Sequence, residues 1–179
     1  MLRAVEILAR IHERARRTPN APPTLLDRPV VLQSERMTFA LGKTRRDAIE
    51  REIGVAFSYP ARGWHTYASR ERTGTALLSA FYKDDVLVAV ELYAPRGNQT
   101  PQLAPRNFGG FRLEPGSVTL GTHADAVSPV FTPATGGPGT VVYDRAFEAR
   151  FPGGVAYAMA RKGVIERLAL YSAPESAGA

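Results

Sequence analysis

The chain has 179 residues, of which 44% are hydrophobic and 22% charged, and a formal net charge of +6. This size suits one compact domain or two very small ones, and the balance is typical of a folded globular protein. Because the chain contains no cysteine, disulfides, thiolate metal sites and cysteine nucleophiles are excluded.

Residues 1–23 predict a basic amphipathic helix followed by a proline-rich linker. Apolar residues recur at helical spacing, at Leu2, Val5, Leu8, Ile11 and Ala15. Residues 1–17 carry half of the excess positive charge, so an anionic membrane surface is one candidate partner for this helix.

Residues 24–95 predict a first α+β repeat. A helix is expected from Arg45 to Ile53, capped by Thr44 and ended by Gly54. A strand is expected at 64–68, and two further strands, 77–82 and 86–93, flank a tight turn.

Pairing across that turn predicts which side chains share a face of the sheet. Tyr82 is expected opposite Leu87, Phe81 opposite Val88, and Ser79 opposite Val90. This register predicts an inward face and an outward face. The inward set is Leu77, Phe81, Val88, Val90 and Leu92, and the outward set is Leu78, Tyr82, Leu87, Ala89, Glu91 and Tyr93.

Residues 96–115 predict a loop, 116–174 a second α+β repeat, and 175–179 a disordered tail. The second repeat has a shorter helix, since Pro129 and Pro133 should limit it to about two turns, and residues 140–143 correspond to 64–67. Its hairpin pairs 155–161 with 164–171. The inward residues are expected to be Tyr157, Met159, Leu168 and Leu170, and the outward ones Ile165, Arg167, Ala169 and Tyr171.

Two similar segments indicate an internal duplication: LGKTRRDAI from Leu41 matches LGTHADAV from Leu120, and each precedes a similar hairpin. The expected fold is therefore α+β. Two tandem helix-plus-antiparallel-sheet repeats would form one curved sheet, with the N-terminal amphipathic helix in addition.

A motif in the first repeat resembles a known family. The order G-x-T-x-x-x-A-I-x-x-x-I-G from Gly42, W-x-x-Y from Trp64 and F-x-K-D-D-x-x from Phe81 is similar to outer-membrane assembly lipoproteins of the SmpA/OmlA type. Those domains share a fold with the tandem-repeat β-lactamase inhibitory protein. The resemblance implies a non-enzymatic module whose open sheet face contacts other proteins. There is no lipobox cysteine, so a role in outer-membrane assembly or lactamase inhibition is not carried over.

The localisation expected from the sequence is the cytoplasm, or the periplasm or exterior if a signal peptide has been removed. No stretch approaches the roughly 18 apolar residues of a membrane span. Glu6 and Arg10 interrupt the one apolar run that could form the core of a signal peptide.

Residues with catalytic chemistry are sparse. A small hydrolase could use His123 and Asp125 with Ser117 or Ser128, but Asp125 is also favoured as a first-turn acid by the helix dipole. No metal-ligand spacing or phosphate-binding loop occurs, so we expect no catalytic residues, no metal and no cofactor.

The function that the sequence favours is non-catalytic binding of another protein, or self-association, through the outward sheet face. Large aromatic side chains and arginine on an open face are typical of interface hot spots. A third hypothesis is a basic adaptor that binds an anionic surface or nucleic acid through the N-terminal arginines. A weak version of an aromatic and basic nucleic-acid surface is formed by Arg62, Trp64, Tyr67, Arg70 and Arg72. Nucleic acid is disfavoured because Glu71 interrupts that basic segment. The predicted partner-binding residues are Trp64, Tyr67, Tyr82, Leu87, Glu91, Tyr93, Ile165, Arg167 and Tyr171.

Overall fold

The computed structural model of the protein describes residues 25–54, 56–59, 63–95, 103–134 and 142–173, with the side chains of 57–59 excepted. About half of these residues lie in strands, and less than a tenth lie in helical segments. The described helix is α1 (Arg46–Ile53), and a 3₁₀ turn covers Ala124–Ala126. The strands are β1 (Val31–Gln33), β2 (Thr38–Phe39), β3 (Phe57–Tyr59), β4 (Trp64–Glu71), β5 (Gly74–Lys83), β6 (Val86–Tyr93), β7 (Arg112–Glu114), β8 (Val118–Thr119), β9 (Thr132–Pro133), β10 (Arg145–Phe151), β11 (Gly154–Arg161) and β12 (Val164–Ser172).

The strands form two antiparallel sheets. In each sheet the first and second halves of the chain contribute their strands in the same order, counted from opposite edges toward the middle. The larger sheet has eight strands in the order β3-β4-β5-β6-β12-β11-β10-β9, and the smaller has four in the order β2-β1-β7-β8. Single-residue bridges follow the same pattern, since Leu25 pairs with Arg150 of β10 and Arg106 pairs with Ser69 of β4. The two halves of the chain therefore share one strand arrangement and meet where β6 pairs with β12.

Two tight hairpins form the centre of the larger sheet. In the β5–β6 turn Asp84 and Asp85 have φ of 52° and 62°, and in the β11–β12 turn Lys162 and Gly163 have φ of 51° and 78°. Positive φ at both turn residues matches the right-handed twist of the flanking strands. Both hairpins therefore lie where the alternating apolar residues and the turn residues predicted them.

One face of the larger sheet, which we call the core face, packs against the smaller sheet and α1. Its residues are mainly alanine and leucine, among them Ala156 and Ala158 of β11. The opposite layer supplies large rings, with Phe39 and Phe111 in contact at a centroid distance of 5.9 Å. Small side chains on the sheet leave space that these rings fill, as close packing of an interior requires.

The predicted α+β class is wrong. The described protein is mostly β, with two antiparallel sheets and a single helix, and it lacks repeated helix-plus-sheet units. In the second half the predicted helix is a 3₁₀ turn of three residues. Pro129 and Pro133 explain this, because each lacks an amide hydrogen and disfavours the helical conformation of the preceding residue.

Helix α1 begins at Arg46, one residue later than predicted, and Thr44 does not cap it. The Thr44 hydroxyl accepts a hydrogen bond from the Ala40 amide at 2.9 Å and donates one to the Thr38 carbonyl at 3.3 Å. It therefore closes the turn between β2 and α1. Gly54 ends the helix as predicted, with a φ of 82° that favours glycine.

The predicted pairing of Tyr82 with Leu87 is confirmed, but those of Phe81 with Val88 and of Ser79 with Val90 are wrong. A β-bulge between Phe81 and Tyr82 inserts an extra residue on β6, so that Phe81 pairs with Ala89 and Ser79 with Glu91. A second bulge, between Met159 and Ala160, shifts β12 in the same way. A shift of one residue transfers every later side chain to the other face.

Other predicted segments are the loop between the repeats, the first strand of the second repeat and the two ends of the chain. The predicted loop 96–115 contains β7 and also Arg106, which bridges to β4. Tyr143, predicted to lie in a strand, precedes β10. The predicted N-terminal helix and linker, 1–23, and the tail, 175–179, lie outside the described residues.

The described residues contain no helix with the length and apolar composition needed to cross a membrane.

The junction of the two halves should contribute strongly to stability. Leu168 is 0% exposed and pairs with Leu92 across β6 and β12, so Leu168→Ala should lower the free energy of unfolding by about 2–5 kcal/mol. Leu25→Ala is the matched control, since Leu25 is 66% exposed, and should change it by less than about 0.5 kcal/mol. Urea denaturation measures both, and equal losses would contradict the described packing.

Candidate functional site

The face of the larger sheet opposite the core face, which we call the second face, carries aromatic and polar side chains. Three cross-strand rows run over β4, β5, β6, β12, β11 and β10. The rows are Trp64–Phe81–Ala89–Tyr171–Val155–Arg150, Thr66–Ser79–Glu91–Ala169–Tyr157–Glu148 and Ala68–Leu77–Tyr93–Arg167–Met159–Ala146.

A buried ion pair lies at the centre of the second face. Glu91 Oε2 accepts a hydrogen bond from Nη2 of Arg167, and Glu91 Oε1 accepts one from the Tyr171 hydroxyl. The Glu91 and Arg167 side chains are 11% and 24% exposed. The Arg167 guanidinium also lies 5.5 Å from the centroid of the Tyr93 ring, a cation–π distance. Both carboxylate oxygens are therefore satisfied in a largely dry environment.

Burial and the negative charge of Glu91 determine the protonation states of Tyr171 and Arg167. Burial, together with the negative charge of Glu91, holds the pKa of the Tyr171 hydroxyl well above its ordinary value. For Arg167 burial alone would lower the pKa, but the carboxylate of Glu91 outweighs that effect and the pKa is raised. At neutral pH Tyr171 is therefore a hydrogen-bond donor and Arg167 a cation.

Two polar atoms of the second face have no hydrogen-bond partner among the described residues: the hydroxyl of Tyr157 and Nε of Arg167. Tyr157 is 0% exposed, and burial, followed by the charge of Glu148, raises the pKa of its hydroxyl. A buried polar group without a partner costs about 1–3 kcal/mol. Thr66 and Ser79, by contrast, satisfy each other through a hydrogen bond of 2.9 Å.

The second face is buried, although the described elements do not cover it. Tyr157 and Met159 are 0% exposed and Tyr171 is 1% exposed. The described side chains in this cluster all come from the sheet itself and from two flanking residues, Ala134 and Tyr143. The core face differs in this respect, since a second sheet packs against it.

The structure divides the nine predicted partner-binding residues between the two faces. Five lie on the second face, and four lie on the core face and belong to the interior of the protein. The five on the second face are Trp64, Glu91, Tyr93, Arg167 and Tyr171. The four on the core face are Tyr67, Tyr82, Leu87 and Ile165.

The bulges account for the core-face positions of Tyr82, Leu87 and Ile165 and for one residue that the sequence interpretation missed. Tyr67 lies on the core face because it is three residues from Trp64 on β4. Because Tyr157 pairs with Ala169 across β11 and β12, it shares a face with Tyr171, and the two rings lie 6.0 Å apart. Tyr157 was predicted to face inward with Leu168, which is wrong. No distinctive residue type marks the bulge between Met159 and Ala160, so the sequence does not indicate where it lies.

The core-face tyrosines contact the region around α1. The Tyr67 hydroxyl donates a hydrogen bond of 3.1 Å to the Gly54 carbonyl, and burial raises the pKa of Tyr67 to about 12. The Tyr82 hydroxyl has no hydrogen-bond partner among the described residues, and its ring packs edge-on against His65 at 5.4 Å. Burial, followed by the charge of Arg46, lowers the pKa of His65.

The residues of the hydrolase hypothesis do not form a catalytic arrangement. His123 Nδ1 lies 3.6 Å from Asp125 Oδ2, but both side chains are more than half exposed. The other oxygen of Asp125 accepts a hydrogen bond of 2.6 Å from Arg145. Ser117 donates its hydroxyl hydrogen to Glu114, and Ser128 accepts from the Val130 amide at 3.4 Å. Neither serine is bonded to His123 in the described part of the chain.

The residues of the basic-adaptor hypothesis do not share one face. Trp64 and Arg70 project from the second face, whereas Tyr67 projects from the core face. Arg62 and residues 1–17 lie outside the described residues. The described aromatic and basic residues therefore do not form one surface for nucleic acid.

Comparison with protein-family models, with curated proteins and with solved structures found no match for this chain. The similarity to the SmpA/OmlA-type family accordingly stays a prediction from the residues quoted above. Within the described ranges, no group of three or more histidine, aspartate and glutamate residues is placed to hold a metal ion.

The Glu91–Arg167 pair should show strong energetic coupling. Glu91→Ala leaves the cation and the Tyr171 hydroxyl buried without their acceptor, and should lower the free energy of unfolding by about 3–5 kcal/mol. Adding Arg167→Ala should recover part of that loss, with a coupling energy of about 1–3 kcal/mol in a double-mutant cycle.

The control for this cycle is the more exposed pair Arg112–Glu114, with an N–O distance of 2.7 Å. Its coupling energy should be at most about 1 kcal/mol, because solvent screens it. Equal coupling energies in the two cycles would contradict the central role of the buried pair.

Alkaline pH should destabilise the protein through its buried tyrosines. Folding raises the pKa of Tyr67, Tyr82, Tyr157 and Tyr171 above the ordinary value of 10.0. Their contribution to stability is therefore complete below pH 10 and is lost as the pH rises through the folded-state values, about 12 for Tyr67. Urea denaturation at increasing pH measures this loss, and Tyr157→Phe should make the pH dependence shallower. A free energy of unfolding that does not fall above pH 10 would contradict the described burial.

Proposed function

We propose that the protein is a non-catalytic protein-binding module whose contact surface is the second face of the larger sheet. The observation that supports this proposal is the central cluster of Glu91, Arg167 and Tyr171 beside the unpartnered hydroxyl of Tyr157. It lies in an aromatic face over which the described part of the chain places no second layer.

The composition of this face suits protein recognition. Arginine, tyrosine and tryptophan are the residue types most enriched in interface hot spots, above all where they are desolvated. The Glu91–Arg167 pair adds little net charge, because each group neutralises the other. The face therefore offers aromatic surface with a small number of directed polar groups.

The size of the face suits an amphipathic helix as the partner segment. Six strands about 4.8 Å apart span about 24 Å, which equals the length of about 16 helical residues. A helix in this position would place its apolar stripe on the rows of the second face. An acceptor group on the partner could receive the hydrogen of Arg167 Nε and of the Tyr157 hydroxyl.

The edges of the larger sheet are less suited to recognition. Its terminal strands β3 and β9 have three and two residues, and short edge strands protect a sheet from strand addition. Binding through a face rather than through an edge is therefore the mode that the fold favours.

A pair of matched variants tests the proposal. Tyr157 and Tyr82 each carry a buried hydroxyl without a described partner, one on the second face and one on the core face. Tyr157→Phe and Tyr82→Phe should each leave the stability of the free protein unchanged or raised. Proteins captured from a cell extract by the wild type are purified, and their affinity is then measured by calorimetry.

Tyr157→Phe should weaken binding of the purified partner by about fivefold or more, as expected for one lost hydrogen bond. Tyr82→Phe should leave the affinity unchanged. Equal affinities for the wild type and both variants would contradict use of the second face. Sedimentation of the purified chain identifies self-association, in which case the same variants apply to the dimer constant.

A further inference from the structure

We infer that a basic groove along α1 binds an acidic segment of a partner polypeptide. The groove consists of two adjoining hollows of about 520 and 320 Å³, and Arg36 and Glu52 line both of them. Because α1 packs against the core face through Ile49, the groove and the second face lie on opposite sides of the larger sheet. This binding site is therefore separate from the surface of the proposed function and does not depend on it.

The described lining of the groove carries more cations than acids. Its cations are Arg36, Lys43, Arg45, Arg51 and Arg106. Its acids are Asp47 and Glu52. Five cations against two acids leave a net charge of +3, which is half of the formal +6 of the whole chain. A concave surface with this excess attracts anionic ligands.

Most of these cations are available to a ligand. Arg36, Lys43 and Arg106 are exposed and have no anionic partner among the described residues. The remaining two arginines share a single acid, Asp47, at N–O distances of 3.5 and 3.2 Å. Exposed pairs of this kind contribute little to stability, so carboxylates of a ligand can compete for both arginines.

The second half of the chain shows that the fold does not require these cations. Arg45 forms an antiparallel bridge to the first residue of β6, and His123 forms the same bridge to the first residue of β12. Arg106 forms a parallel bridge to β4, and Leu25 forms the equivalent bridge to β10. The same main-chain connections are therefore made by a histidine and a leucine.

Lys43 also has a neutral counterpart. It follows Gly42, whose amide donates a hydrogen bond to the second residue of β6, and Thr122 follows Gly121, whose amide donates one to the second residue of β12. Since the fold makes this connection equally well with threonine, folding does not explain the positive charge of the groove. Recognition of an anion does.

The spacing of the cations fits an extended peptide. α1 has eight residues and is therefore about 12 Å long. Lys43 precedes its N-terminal end, and the Arg106 guanidinium lies beside Gly54, which follows its C-terminal end. A single carboxylate or phosphate ion does not reach both ends. In an extended peptide, side chains four residues apart are about 13 Å apart on the same side, so two acidic residues at this spacing reach both.

The lining favours carboxylates of a peptide over the phosphates of a nucleic acid. Phe108, the one aromatic residue of the described lining, is 2% exposed and offers no surface for the stacking of bases. Asp47 and Glu52 would repel a strand with a charge on every phosphate, whereas a peptide can place neutral residues opposite them. The arginines can bind each carboxylate through two parallel hydrogen bonds.

A defined peptide tests the inference. The probe is a labelled peptide of alternating aspartate and serine, about eight residues long, and its control has asparagine in place of each aspartate. Fluorescence anisotropy at low ionic strength measures the binding of both to the full chain. The acidic peptide should bind at least about tenfold more tightly than its control. Equal binding of the two peptides, or no binding of either, would overturn the inference.

Matched variants separate the groove from the net charge of the chain. Arg36→Gln with Lys43→Gln removes two cations of the groove. Arg161→Gln with Lys162→Gln removes two cations at the β11–β12 hairpin, which lies at the other end of the larger sheet from the β5–β6 turn beside α1. The first variant should bind the acidic peptide about tenfold more weakly than the wild type, as expected for two lost ion pairs. The second should lose less than about twofold, and equal losses would overturn the inference.

An oligothymidylate with the same number of charges tests the alternative ligand class. It should bind at least about tenfold more weakly than the acidic peptide, and Arg36→Gln with Lys43→Gln should reduce its affinity no more than the control variant does. If the oligothymidylate binds as tightly as the peptide and loses affinity in the groove variant alone, the groove binds phosphates and the peptide assignment is overturned.

Amide chemical shifts of the wild type locate the bound peptide. Resonances of α1 and of residues 106–108 should shift on addition of the acidic peptide, whereas those around Tyr157 should not. Shifts at the second face without shifts at α1 would overturn the groove and leave the proposed function standing. Conversely, a peptide bound at α1 leaves the groove standing even if Tyr157→Phe has no effect on any captured partner.

Discussion

The antiparallel pairing of β6 with β12 is the contact on which the rest of this structure depends. It joins two similar halves into one eight-stranded sheet. It also brings Glu91 beside Arg167 and Tyr171, which lie 76 and 80 residues further along the chain. Without this pairing the carboxylate would be buried without a cation and each half would expose the apolar edge of its sheet. The junction is therefore both the structural centre of the fold and the origin of the candidate site.

The two faces of the sheet differ in how closely the halves match. On the core face, residues in corresponding positions of β6 and β12 are similar, as in Val90 with Leu168 and Leu92 with Leu170. On the second face two of the three corresponding pairs differ, because Ala89 corresponds to Arg167 and Glu91 to Ala169, whereas Tyr93 corresponds to Tyr171. A buried ion pair costs desolvation that an apolar pair of similar volume does not. Packing alone therefore does not explain why the Glu91–Arg167 pair lies on the second face.

The large aromatic side chains at the centre of the second face are buried, since Tyr157 is 0% and Tyr171 1% exposed. An open aromatic face of this size would favour aggregation. The short strands at the edges of the larger sheet limit pairing between molecules. These edges are therefore poorly suited to strand addition.

The sequence by itself determined the elements that depend on neighbours in the chain. The hairpins at Asp84–Asp85 and Lys162–Gly163, the strand at Trp64 and the end of α1 at Gly54 follow from local alternation and turn residues. The same alternation places Glu91 with Tyr93 on one face of β6, and Arg167 with Tyr171 on one face of β12. Tertiary structure decided the rest. The bulges reassigned Tyr82, Leu87 and Tyr157 to the opposite faces, and packing replaced a second helix by a 3₁₀ turn. One extra residue in a strand reverses every side chain beyond it, and its cost is compensated only by contacts distant in sequence.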